Sequence, residues 1–197
     1  MNENVEAFLR VLDPTDSSTG GGTASAVAGA MAAALVAMVA RLSIGKDGLE
    51  TEAFYRELRA EAQVLSDELL DGGREDSEAF AAVRAAHRLA KHTDEERTVR
   101  RQAIQRAMIE AARVPVANME RCWRVLELAM QLRGRSNPNA ASDLECALHL
   151  ARAGLLGCAD NVEINLPAIR DRTVAGELAE RAGSLRALAT ARLPKSV

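Results

Sequence analysis

The chain has 197 residues, 48% of them hydrophobic and 27% charged, with a formal net charge of −3. That length suits one domain with a substantial core, and the composition excludes a disordered chain. The mild acidity excludes the basic surface on which nucleic-acid binders rely, and an aromatic share of 3% leaves the apolar content to Ala, Leu and Val, which favours packed helices over a β-sandwich.

Val5, Phe8, Leu9 and Leu12 fall at i, i+3, i+4 and i+7 and predict a short amphipathic helix. Glu3 and Glu6 precede any basic stretch, so no signal peptide is expected. Residues 13–22 read as a loop. Thr23 or Ser25 is the expected cap of a second helix ending near Ile44, with Gly45 and Gly48 bracketing its end. Residues 17–40 carry no charge, but they open with glycines and are then mostly alanine, which gains little from lipid; no membrane span is expected. A third helix is predicted over 49–70, with Tyr55, Leu58, Ala62, Leu65 and Leu69 as its buried stripe and Gly72-Gly73 as its stop. A fourth is predicted over 76–91. Thr93 and Glu96 form a capping box for a helix running towards Leu132, which Pro115 should kink or split. Residues 134–139 read as a turn, and helices over 140–158 and 171–192 complete a single-domain all-α bundle spanning 1–197.

The second helix has two kinds of face. Val27, Met31, Leu35, Met38 and Leu42 form a bulky stripe; Ser25, Gly29, Ala33 and Ala37 form a small one. A small-residue face lets another backbone approach closely, so this helix is expected to be buried on more than one side. A second subunit is the expected partner, giving a homodimer around an Ala/Gly-rich central helix; the alternative is the central helix of a monomeric bundle. Gly20-Gly21-Gly22 sits at the start of that helix, where glycine permits positive φ and close approach of N–H groups to a carbonyl, carboxylate or phosphate. No strand precedes it and no Lys-Ser/Thr pair follows, so it is neither a dinucleotide fingerprint nor a P-loop.

Among titratable residues, Asp76 stands four residues before Phe80 on one helix face. A carboxylate beside an aromatic ring in a pocket has a raised pKa, which suits proton transfer; the alternative is an acid complementing the helix dipole. Asp143 is a second candidate, or a cap of its helix. Lys46 and Lys91 are candidate anion contacts or helix-end cations. His87, His92 and His149 lack metal-site spacing, and no metal is expected. Cys122, Cys146 and Cys158 are odd in number and include no CxxC pair, which reads as reduced thiols of a cytoplasmic protein.

The run Thr19-Gly20-Gly21-Gly22-Thr23-Ala24-Ser25-Ala26-Val27-Ala28-Gly29-Ala30 resembles the PGGGS-x-A-A-x-x-G-A segment of the formiminotetrahydrofolate cyclodeaminase and methenyltetrahydrofolate cyclohydrolase family. The likeness continues at 38–46 (M-V-A-x-L-T-x-G-K in the family), at Asp76 to Phe80 (D-x-x-A-F), at 93–97, at Ala111-Ala112-Arg113-Val114-Pro115, at Asn137 to Asp143 and at Asn161 to Asn165, in the family's order. The resemblance implies an all-α homodimer that binds a tetrahydrofolate derivative near the glycine loop as its substrate, with no further cofactor. It implies chemistry at the carbon bridging N5 and N10, either cyclodeamination or hydrolysis, driven by an acid/base group. Asp76 and Asp143 are the expected catalytic residues. Gly20, Gly21, Gly22, Thr23, Lys46, Phe80, Asn139 and Asn165 are the expected substrate contacts, and Asn161 is a further hydrogen-bonding candidate. Thr19 replaces the family's proline, and Ala90 the proline of its R-L-P-K, changes expected to loosen the loop and the end of the fourth helix. The competing function is a non-catalytic helical dimer that kept the fold.

Overall fold

An alanine-rich helix lies at the centre of the molecule, and the other helices are wrapped around it. The computed structural model describes residues 9–16 and 18–191. Within them run α1 (Gly21–Ser43), α2 (Glu52–Arg88), α3 (Asp94–Leu132), α4 (Ala141–Asn165) and α5 (Arg172–Ala191), with single 3₁₀ turns at Pro138–Ala140 and Leu166–Ala168; no strand occurs among the described residues. Val5 and Phe8, half of the predicted first stripe, lie outside these residues; Leu9 and Leu12 are exposed.

Helix α1 packs against α2, α3 and α4. By length and composition it is apolar enough to cross a membrane, but Ala26, Ala32, Ala33, Val36, Val39 and Ala40 are spent on the interior of the bundle. Its small-residue face corrects one expectation. That face is covered within the chain, not by a second subunit. A Cβ on Gly29 would press on Cys122 of α3 and lie 3.2 Å from Leu69 of α2. On α4, Gly154 and Gly157 are the matching gaps, since a Cβ at either would meet Ser25. The bulky stripe faces outward beyond its first residue: Val27 is buried, but Met31 and Leu42 are exposed, and Leu35 and Met38 are half-buried.

The predicted third and fourth helices are one. Helix α2 runs unbroken through Gly72-Gly73. These glycines serve packing instead of stopping the helix. A Cβ on Gly72 would collide with buried Asn118, whose Nδ2 donates to the Gly72 carbonyl at 3.1 Å, and one on Gly73 would lie 3.5 Å from Thr23. Pro115 likewise does not split α3. The lack of an N–H at Pro115 leaves the Ala111 carbonyl without its intrahelical donor, and the side chain of Asn165 supplies one at 3.0 Å. The Thr93–Glu96 capping box is formed as the sequence predicts. Helix α4 extends one and a half turns or more past its predicted end at 158, which places Asn161 and Asn165 one turn apart on a helix face.

Candidate active site

The start of α1, the middle of α2 and the end of α4 converge on a pocket of about 360 Å³, lined on one side by Gly20, Gly21 and Gly22 and elsewhere by Asp76, Phe80, Asn161 and Asn165. Val83, Met108, Ala111 and Ile164 give it apolar walls.

The glycines act differently from expectation. None of the three has positive φ, and the helix begins at Gly21 with Gly20 as N-cap, not Thr23 or Ser25. No side chain caps this end, so the first N–H groups of α1 have no intrahelical acceptor where they border the pocket. A Cβ on Gly20 or Gly21 would meet nothing within 4 Å, so both leave open room. Gly22 is different: a Cβ there would run into the Asn161 amide and the Asp76 carboxylate. Its glycine is required by close approach of α1 to α2 and α4.

The loop that leads into α1 is tied down. The Arg10 guanidinium reaches Asp16 at 2.9 Å and also the Ser18 hydroxyl, and the Thr19 hydroxyl donates to the Arg10 carbonyl at 3.1 Å. Hydrogen bonds from Ser18 and Arg10 hold the Asp16 carboxyl down to about 2. The loosening expected from Thr19 in place of proline is therefore countered by side-chain hydrogen bonds.

Asp76 is half-buried and accepts a hydrogen bond on each oxygen: from the Thr23 hydroxyl to Oδ2 at 2.9 Å, and from Asn161 Nδ2 to Oδ1 at 2.9 Å. Burial pushes its pKa up, and the bonds from Thr23 and Asn161 pull against that rise. The carboxyl is therefore oriented, partly desolvated and open to the pocket, the placement that a general acid/base group needs. Phe80, on the same helix face, is exposed beside it, with the Arg84 guanidinium 5.8 Å from the ring centre.

The predicted residues divide into two groups. Gly20, Gly21, Gly22, Asp76, Phe80 and Asn165 meet at the pocket. Thr23 is adjacent but buried, with its hydroxyl committed to Asp76, so it holds the carboxylate and does not face a ligand. The amide nitrogen of Asn165 is likewise committed, to the Ala111 and Asn161 carbonyls and to Asn161 Oδ1. Lys46, Asn139 and Asp143 lie at the other end of the bundle. Lys46 follows the C-terminus of α1, and Asn137, which accepts from the Asn139 N–H, is bonded to the Leu42 carbonyl and Ser43 Oγ. Asp143 is in the first turn of α4, whose last turns carry Asn161 and Asn165. With 23 residues in α1, the two ends are roughly 33 Å apart, so none of these three enters the same chain's pocket. Asn161 is the residue whose weight the sequence reading underestimated; its signal was the i,i+4 spacing to Asn165.

Comparison with known proteins finds relatives along nearly the whole chain. The chain is 40% identical over 177 residues to a methenyltetrahydrofolate cyclohydrolase from Methylorubrum extorquens, covering 89% of this chain and 85% of that protein. It is 29% identical over 186 residues to the formimidoyltransferase-cyclodeaminase of Rattus norvegicus, covering 94% of this chain and 34% of that longer protein. The crystal structure of formiminotetrahydrofolate cyclodeaminase from Thermotoga maritima superimposes with a TM-score of 0.81 at 29% identity, covering 93% of this chain and 88% of that one. The family model for formiminotransferase-cyclodeaminase matches residues 4–184, and the chain belongs to that family.

Proposed function

We propose that the chain is a one-carbon folate enzyme that hydrolyses the methenyl bridge between N5 and N10 of tetrahydrofolate. The observation that carries this reading is the Asp76 carboxyl, held on both oxygens beside an open helix N-terminus in an apolar-walled pocket. Hydrolysis is favoured over deamination by the higher identity to the cyclohydrolase from Methylorubrum extorquens, 40% against 29% for the cyclodeaminase from Thermotoga maritima. In the reaction, the Asp76 carboxylate takes a proton from water as the oxygen adds to the bridging carbon. The protonated carboxyl then returns that proton to N5 as the C–N5 bond breaks, and the adduct's hydroxyl releases its remaining proton to solvent as it becomes the carbonyl of the formyl group left on N10. Phe80 offers an aromatic face to a planar ring of the substrate. The residues of the pocket supply this proton transfer without a further cofactor.

A homodimer is part of the proposal. Its support is the exposed bulky stripe of α1, where Met31 is 46% and Leu42 39% accessible. Pairing about a two-fold axis perpendicular to α1 makes the two copies of the helix antiparallel. It brings the Lys46, Asn139 and Asp143 end of one subunit over the glycine end of the other, which gives those residues a route to the substrate. The test is direct. Purified protein is given methenyltetrahydrofolate, and loss of its absorbance and formation of the 10-formyl compound are followed; formiminotetrahydrofolate is given separately and ammonia is measured. Faster hydrolysis of the first substrate supports the reading. Ammonia release without hydrolysis moves it to cyclodeamination, and no turnover of either returns the chain to a binding role.

A further inference from the structure

Behind Asp76, a series of polar groups connects the site to a proline in the middle of α3. Three side-chain or backbone groups lie in series: the Ala111 carbonyl, the Asn165 amide and the Asn161 amide. Asn165 Nδ2 lies 3.0 Å from the Ala111 carbonyl and 2.9 Å from the Asn161 carbonyl. Backbone carbonyls only accept, so the NH₂ end of Asn165 must point to them. The same NH₂ group lies 3.2 Å from the side chain of Asn161, which must therefore present its oxygen. The other end of the Asn161 amide, its NH₂, is then the end that faces Asp76.

We infer that Asn165 is a positioning residue, which fixes the orientation of the Asn161 amide so that Asp76 always receives a donor and never an opposing oxygen, and that Pro115 enables this by leaving the Ala111 carbonyl free. The inference rests on Asp76 being the acid/base group. A helix-interior proline is destabilising; here its missing N–H has a use, because an N–H at position 115 would compete for the carbonyl that orients Asn165. The Asn165 amide is set by two carbonyls that cannot move without disturbing α3 and α4, and it reinforces the preference that the acceptor-only Asp76 carboxylate gives to the NH₂ end of Asn161. Asp76 is faced by Gly22 and Thr23 from α1, by Asn161 and the buried Cys158 thiol from α4, and by the uncharged Met108 and Ala111 from the α3 wall of the pocket. Of these only Cys158 titrates, and burial pushes it well above the usual thiol range.

The sign of the effect follows. A donor bonded to a carboxylate favours its ionised form. If Asn161 turns its oxygen towards Asp76, the carboxyl holds its proton to higher pH, and the acid limb of the rate profile moves up. The test uses Asn165→Leu, which keeps the size of the side chain, adds no charge and removes the donor. Expected are a fall in kcat on the order of tenfold, KM within about a factor of three, and an acid limb shifted upwards. Pro115→Ala should shift the limb in the same direction by less, and it keeps the question open to measurement if the leucine variant folds poorly. Carbon-13 titration of the Asp76 carboxyl reads the same displacement without turnover. If both variants fold and leave the acid limb and the carboxyl titration in place, Asn165 is only a structural residue and the inference is overturned. Asp76→Asn, measured alongside, keeps the two ideas apart: full activity in that variant removes Asp76 from the mechanism, whereas its inactivity with an unmoved limb in Asn165→Leu removes the relay alone.

Discussion

At the scale of single residues, the site is made by side chains whose neighbours leave them little choice. Gly22 is held to glycine by space, and Gly22→Ala should displace Asp76 and Asn161; turnover should fall by on the order of a hundredfold while the helix content by circular dichroism is kept. Gly21 is open, so the same change there should fold normally and weaken substrate binding alone. Asp76 also carries a pH signature. Its pKa is raised by burial above the ordinary 3.8. A raised native value means that the folded chain binds this proton more tightly than the unfolded one. The corresponding stability is fully present below pH 3.8, the unfolded value, and is lost as pH rises through the native value. Asp76→Asn, which cannot ionise, should therefore be at least as stable as the parent chain at neutral pH, as denaturant melts will show. The identities of Asp76, Phe80 and the glycines were legible in the sequence. The commitment of Thr23 to Asp76 was not, because its partner is 53 residues away and only the close approach of α1 and α2 joins them.

At the scale of elements, glycine and proline were the signals most easily misread. Gly72-Gly73 has the appearance of a helix stop, yet α2 passes through it because Asn118 and Thr23 pack into the missing side chains. Sequence periodicity reports one helix at a time and cannot reveal that a second helix needs the gap. Gly72→Ala tests this reading: an overpacked contact with Asn118 should cost about 1–3 kcal/mol in urea unfolding, whereas a helix-interior glycine with no partner in the gap would be stabilised by alanine. Pro115 is similar, since its cost to α3 is visible in the sequence and its hydrogen-bonded compensation from α4 is not. Local chemistry was legible where both partners are close in the chain. The Thr93–Glu96 capping box formed as read, and Thr93→Ala should cost about 1 kcal/mol with turnover per folded molecule unchanged.

At the scale of the whole molecule, the all-α single-domain bundle followed from composition and periodicity, but the facing of its central helix did not. The small stripe of α1 was expected to meet a second subunit and instead meets α2, α3 and α4, because Leu69, Cys122, Gly154 and Gly157 fit it within one chain. What remains outward is Met31 and Leu42, and like charge there should oppose association: Met31→Lys with Leu42→Lys should shift sedimentation from dimer to monomer at micromolar concentration, while a parent chain that is already monomeric removes the dimer from the proposal. The family motifs gather at both ends of the bundle, and at the glycine end a half-buried carboxylate on the pocket accepts a hydrogen bond on each oxygen. The measurement that bears most directly on the function is therefore turnover of methenyltetrahydrofolate by Asp76→Asn, with its melting temperature taken on the same preparation. An acid/base role predicts an unchanged or higher melting temperature and a kcat lower by roughly 10²–10⁴-fold. A variant that melts lower and turns over within a factor of a few of the parent chain would contradict it.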